Sequence, residues 1–206
     1  MAPAPPPLAL STAALVLANL VPLGGALLGI WTVYELILLF WAENLVIGLY
    51  QLLRMGAAAT LRRDRGPLLL IPFFLLHYGI FTFVHGQFVV GMLAPSDEDL
   101  RDALAMLASP AGLLWPVLAL AASHGVSFVV NFLGEGEWRG TDAQQLMQQP
   151  YARVVVLHLV ILAGGGAVLV LGEPVVALVA LVVLKIAADI VAHRREHSAA
   201  AVTRRS

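Results

Sequence analysis

Six runs of about twenty apolar residues constrain this chain more than any motif it carries. They cover residues 8–29, 31–55, 67–94, 110–133, 151–172 and 173–194. A helix of roughly 20 apolar residues is what the ~30 Å hydrocarbon core of a bilayer requires. The runs are punctuated as helices are. Pro67, Pro110, Pro150-Tyr151 and Glu173-Pro174 open four of them, and Trp31 opens the second. Proline suits a first helical turn, where no backbone donor is needed. Only the first run is softened internally, by Pro22, Gly24 and Gly25.

Composition turns these runs into a class. The chain is 60% hydrophobic and 12% charged, against about 45–50% and about 25% in soluble domains. A soluble core built from 206 residues cannot hide that much apolar surface, so lipid is the expected solvent. The expectation is an all-α polytopic protein of the inner (plasma) membrane, a bundle of six transmembrane helices spanning residues 8–194. Residues 1–7, Met1-Ala-Pro-Ala-Pro-Pro-Pro7, have no basic residue for a secretory n-region and read as a disordered leader. Residues 195–206 read as a basic tail. A net charge of −1 argues against nucleic acid as a partner.

Arginine orients the bundle. Arg54, Arg62, Arg63, Arg65, Arg139, Arg153, Arg194, Arg195, Arg204 and Arg205 all fall on the side shared by the two termini. The opposite loops carry only Arg101, inside the acidic run Ser96-Asp-Glu-Asp-Leu-Arg-Asp102. Basic loops stay cytoplasmic, which puts both termini inside. The two longest loops, 95–109 and 134–150, have room for one amphipathic turn each. No internal repeat supports an inverted-repeat transporter.

Against this apolar background the ionisable residues stand out. His77, His85, His124 and His158 lie within the runs, as do Glu35, Glu43, Lys185 and Asp189. Such groups are costly in hydrocarbon and mark functional sites. At 1.5 Å per residue, Glu43 falls at the centre of its helix, and His77, His124 and His158 fall about 4–5 Å toward the cytoplasm. Lys185 and Asp189 fall about 2 and 8 Å inward. Five helices therefore place an ionisable group in one layer. His77 and His85 are eight residues apart, as are Glu35 and Glu43, which suggests a polar stripe rising to the outer surface. Lys185, Asp189 and His193 form another stripe at i, i+4, i+8.

No cysteine is present, so any metal must be held by nitrogen and oxygen. Three imidazoles with one open position make a catalytic zinc arrangement, and His77, His124 and His158 are the expected ligands. Glu43 is then a general base or fourth ligand, and Asp189 a ligand or orienting group. His85 is a further ligand, a proton relay or the partner of Glu35. The structural alternative has each histidine bonding a neighbouring helix and Lys185 paired with Asp189 along one helix. Ser123 and His124 point about 100° apart on a helix, so they do not form a nucleophile–base pair. Gly164-Gly-Gly166 permits a close helix approach.

Several stretches together resemble a known family. They are Phe40-Trp-Ala-Glu-Asn-Leu-Val-Ile-Gly48, Phe74-Leu-Leu-His-Tyr-Gly-Ile-Phe81 with Val84-His-Gly86, Ser123-His-Gly-Val-Ser-Phe128, Pro150-Tyr-Ala-Arg-Val-Val-Val-Leu-His158 and Leu184-Lys-Ile-Ala-Ala-Asp189. The chain is similar over these stretches to the bacterial and archaeal membrane family named domain of unknown function 6498. That resemblance implies that the positions belong to one pattern and supplies no activity. In chemistry alone the site is similar to the three-histidine zinc hydrolases related to adiponectin receptors and alkaline ceramidases. His158, however, stands alone on its helix, where those enzymes pair two histidines one turn apart.

The functional expectation is a zinc-dependent membrane hydrolase acting on an amphiphilic, lipid-like substrate. Two alternatives stand beside it. One is a redox protein clamping haem b between two imidazoles with a quinone partner. The other is a non-enzymatic proton or ion conductor using Glu35, Glu43, His85 and His77.

Overall fold

The computed structural model describes residues 28–95 and 97–171. The leader, nearly all of the first expected span, the sixth span with Lys185, Asp189 and His193, and the tail lie outside the described residues. The described chain is helical and has no strand among the described residues. Its elements are α1 (Val33–Arg62), α2 (Gly66–Leu93), α3 (Leu100–Ala108), α4 (Leu114–Ser127) and α5 (Ala143–Leu171). A π-helical turn (Phe128–Gly134) continues α4, and a 3-10 turn (Glu137–Arg139) follows it. The chain divides into two compact units, Ile37–His158 and one made of Met1–Leu36 with Leu159–Ser206. The site described below lies within Ile37–His158.

Three helix starts are fixed by reciprocal side-chain caps. Thr32 Oγ1 accepts from the Glu35 amide at 3.1 Å, and Glu35 accepts from the Thr32 amide at 2.7 Å. Asp99 accepts from the amides of Arg101 and Asp102, and Asp102 accepts from the Asp99 amide. Asp142 accepts from the Gln145 amide at 2.7 Å, and Gln145 accepts from the Asp142 amide at 3.3 Å. Each box satisfies two backbone donors that a helix start leaves open. The amides of Asp102 and Arg101 also hold the Asp99 carboxyl below the usual carboxylate range. Glu35, expected in a polar stripe, is thus part of the α1 cap.

Two boundaries differ from the apolar runs. α1 continues past residue 55 to Arg62, because Arg54–Arg62 is rich in alanine and arginine, good helix formers whatever their polarity. α5 starts at Ala143, before its apolar run, because the Asp142–Gln145 box nucleates it. Pro150 consequently lies inside the helix. A proline there leaves the carbonyl four residues back without its donor. That carbonyl belongs to Leu146, and the buried Gln51 side chain of α1 donates to it.

Contacts set the directions of the helices within Ile37–His158. Trp41 meets Thr82 and Tyr78 meets Asn44, so α1 and α2 are antiparallel. They are joined by a turn with Arg63 at φ 53° and Asp64 accepting from the Gly66 amide. Tyr50 meets Ala121 and Arg54 lies over Phe132, so α4 runs with α1. Tyr151 meets Phe74 and His158 meets Phe81, so α5 runs with α2. Met55, Ala58, Phe74, Tyr78, Phe132, Leu146 and Val154 form the buried core between them.

Three described helices are long and apolar enough to cross a bilayer: Val33–Arg62, Gly66–Leu93 and Leu114–Gly134. Their apolar windows are 67%, 22% and 6% buried, so α1 is central, whereas α2 and α4 turn most of their apolar surface outward. Leu69, Phe73, Leu76 and Ile80 of α2, with Trp115 and Val126 of α4 and Val129 of the π-helical turn, are exposed. Apolar area on this scale is what a bilayer covers.

Candidate functional site

α2 has two packed faces of different chemistry. Toward α1 it is locked by rings seated on glycines. The Trp41 ring lies so close to Gly86 that a Cβ there would stand 2.7 Å from Trp41 Cζ2. Trp41 Nε1 donates to the Thr82 carbonyl at 2.8 Å. In mirror fashion the Tyr78 ring lies on Gly48, where a Cβ would stand 2.6 Å from Tyr78 Cε1. The Tyr78 hydroxyl donates to the Asn44 carbonyl at 2.8 Å. The same device joins α1 to α4: Tyr50 lies against Gly125 and donates to the Ala121 carbonyl at 2.9 Å. Small residues let helices approach closely in an apolar bundle, and the ring donor then satisfies its own polar atom.

Toward α5 the face is aromatic and less satisfied. Phe74, Tyr78, Phe81 and His85 recur at i, i+4, i+7, i+11, a helical stripe, and meet Tyr151 and His158. Tyr151 contacts Phe74, His77 and Tyr78 at centroid distances of 6.4, 5.6 and 6.2 Å. One turn-pair further along, His85 and His158 meet edge to face, with centroids 4.1 Å apart and planes at 70°. The Phe81 ring touches both, at 4.0 Å to His85 and 5.4 Å to His158.

The tautomer of His85 follows from its partner. His85 Nδ1 lies 2.6 Å from the Phe81 carbonyl oxygen. A carbonyl only accepts, so Nδ1 carries a proton, and in the neutral ring Nε2 then presents a lone pair. That Nε2 is buried without a hydrogen-bond partner, as are His158 Nδ1 and the Tyr151 hydroxyl. His85 is 4% exposed, so water does not readily satisfy it. A histidine that gives one ring N–H to a backbone carbonyl and leaves the other nitrogen open is oriented as metal-ligating histidines are.

The structure does not assemble the other expected ligands around this pair. His77 is exposed and stacked on Phe73 at 5.5 Å. His124 is half-buried and stacked on Tyr50 at 6.1 Å. Glu43 is half-buried on α1, and Asp189 lies outside the described residues. Among the described residues no group of three His, Asp or Glu side chains is placed to hold a metal ion. The imidazole that meets His158 is His85, rather than His77 or His124. Sequence reading also passed over Gln51 with Pro150 and the ring-on-glycine seats. A buried amide facing an internal proline is a signal only once the two helices are paired.

These features define a class: an all-helical protein with apolar helices of bilayer length, ring-on-glycine helix contacts and a close pair of imidazoles, one buried and one half-buried. Within that class the chain belongs to the Family of unknown function DUF6498, which matches residues 1–206. The stretches that carried the resemblance are where the contacts fall: Trp41 to Gly48, Tyr78 to Gly86, Gly125, and Tyr151 to His158. No curated protein and no solved structure matches the chain.

Proposed function

We propose that this is an integral membrane protein of six spans with both termini cytoplasmic. We propose further that His85 and His158 bind a divalent metal ion, zinc by donor type, at the centre of a hydrolytic site for an amphiphilic substrate. One observation carries the metal reading: the Phe81 carbonyl fixes His85 so that a buried, unpartnered Nε2 lone pair stands beside a second imidazole with an unpartnered nitrogen. An ion with bonds of about 2 Å to each nitrogen would satisfy both and leave positions open for water and substrate. A metal in such a setting lowers the pKa of bound water toward ~7, the basis of hydrolysis at neutral pH. The 4.1 Å separation favours a single ion over haem, whose ring plane would have to lie between the imidazoles. A relay reading loses support because Glu35 is engaged in the α1 cap and His77 is stacked on Phe73.

The orientation draws support from the loops. Arg62 donates to the Thr141 carbonyl, which brings the two arginine-bearing loops to one end of the bundle. A reporter fused after Ser206 is expected to be active only in a cytoplasmic format, and a periplasmic signal would overturn the orientation.

The metal test is elemental analysis of detergent-purified protein after zinc loading and washing. His85→Ala and His158→Ala are expected to lose the bound ion, while His77→Phe and His124→Phe keep it, each checked for helix content by circular dichroism. Equal zinc in all five proteins, or zinc in none, would overturn the site. Release of fatty acid from ester and amide lipids, abolished by a chelator and by His158→Ala, is the corresponding test of hydrolysis.

A further inference from the structure

A second feature lies on the adjacent side of α2, toward α1 and α3; it shares Phe74 and Tyr78 with the α5-facing stripe but includes neither histidine of the pair. A cavity of about 320 Å³ opens between α1, α2 and α3. That volume sits at the low end of the ~300–1,000 Å³ range of ligand pockets. Its lining runs from Trp41 to Leu52 on α1 and from Phe74 to Phe83 on α2. At 1.5 Å per residue this is a slot of about 14–16 Å along the helix axes, roughly half a bilayer's hydrocarbon thickness. Leu100 and Leu104 of α3 also line it. Leu45, Leu75, Phe83 and Leu104 stand half-exposed at its rim.

The chemistry inside is narrow. The two ring donors in the wall are already engaged, Trp41 with the Thr82 carbonyl and Tyr78 with the Asn44 carbonyl. The Thr82 hydroxyl, on a residue 5% exposed, is buried without a partner. Among the described residues of the wall, that hydroxyl is the one group a ligand could bond, so a ligand with several polar groups would leave most of them unsatisfied. A flexible hydrocarbon chain carries no such groups. The slot is parallel to helices of bilayer length and has an apolar rim, so a lipid chain can enter it sideways with its headgroup left outside.

We infer that this slot holds one acyl chain of a membrane phospholipid, lying along α2 between α1 and α3. Gly79 gives the means of testing it. It lines the slot, and a Cβ built on it meets nothing within 4 Å. Gly79→Leu therefore fills the slot from within a helix that favours leucine over glycine.

The experiment uses the full chain in phosphatidylcholine nanodiscs containing a phosphatidylcholine with a photoreactive diazirine on one acyl chain. Cross-linked positions are mapped by mass spectrometry. The expected result is labelling concentrated at Leu45, Leu75, Gly79 and Leu104, reduced about tenfold or more by Gly79→Leu. Labelling of the outward-facing Leu69 and Ile80 is expected to stay unchanged in the same variant. Leu104→Trp fills the slot from α3 and is expected to act alike, so a misfolded Gly79→Leu protein does not end the test. A diazirine fatty acid without a headgroup, added in parallel, separates the sources: labelling by the free acid alone would overturn the phospholipid assignment. Uniform labelling of slot and outer face would mean annular lipid only. Cross-linking of one chain to another at slot residues would mean a second copy covers it. Either result overturns the proposal.

Discussion

The two faces of α2 are built from the same kinds of residue and finish differently. Toward α1, each ring with a donor ends on a backbone carbonyl, and glycine opposite lets the ring close in. Toward α5, three ring polar atoms, on His85, Tyr151 and His158, end without a hydrogen-bond partner. The α1 side also keeps Thr82 Oγ1 and Asn44 Oδ1 without a partner, but its Trp41 and Tyr78 rings are satisfied. Each such group costs about 1–3 kcal/mol, and on the α5 face all three fall on rings clustered together. Proteins accept such costs where function needs the group. The α1 face holds the bundle together, and the α5 face is where we propose the ligand chemistry.

The largest expected effect tests the packed face. Gly86→Val should lower the melting temperature in detergent, by the equivalent of about 1–3 kcal/mol, because its Cβ alone overlaps the Trp41 ring. Gly79→Ala, with open space around its Cβ, should be neutral or gain up to about 1 kcal/mol from helix propensity. Equal losses at both positions would mean that helix flexibility, rather than the ring seat, sets the need for glycine.

The next effect concerns the α1–α5 contact. Gln51→Leu removes the donor to the Leu146 carbonyl that Pro150 leaves open. We expect a loss of about 1–3 kcal/mol. Pro150→Ala supplies the missing backbone N–H, so the double variant should recover most of that loss. A strictly additive double-mutant cycle would show that the two residues are not coupled.

The smallest effect compares the faces directly. Tyr78→Phe should cost about 0.5–1.5 kcal/mol, since it removes a satisfied hydrogen bond. In chelator-treated protein His85→Phe should be neutral or stabilising, since it removes an unsatisfied nitrogen and keeps an aromatic ring against Phe81. A loss at His85 as large as that at Tyr78 would mean that its Nε2 has a structural partner, and the two faces would no longer differ.

Much of this architecture could be read along the chain. The second, third and fourth apolar runs correspond to α1, α2 and α4 with its π turn. The caps were also legible, as Thr32-x-x-Glu35, Asp99-x-x-Asp102 and Asp142-x-x-Gln145. Reading the last of these would have started α5 eight residues before its apolar run. The candidate site was legible only in part. The sequence singles out both His158 and His85 as candidate ligands, but it puts them at different heights and leaves His85 a relay or a partner of Glu35 as well.

By itself the sequence determined that the chain is helical, that its helices are apolar enough for a bilayer, and that four histidines sit among them. It determined these things because periodicity, propensity and hydropathy are properties of a segment and need no neighbour. Which histidine meets which was decided only by the tertiary structure. Spacing along one helix gives height and azimuth relative to that helix, and boundary errors of a few residues shift the height by about 3–6 Å. The register of α5 on α2 is set elsewhere, where Tyr151 packs among Phe74, His77 and Tyr78. Seven residues on from Tyr151, along a helix running the same way, His158 reaches Phe81 and His85, which lie seven residues on from Phe74 and Tyr78. That parallel, seven-residue step depends on the packing of two distant segments, and no local pattern in either one contains it.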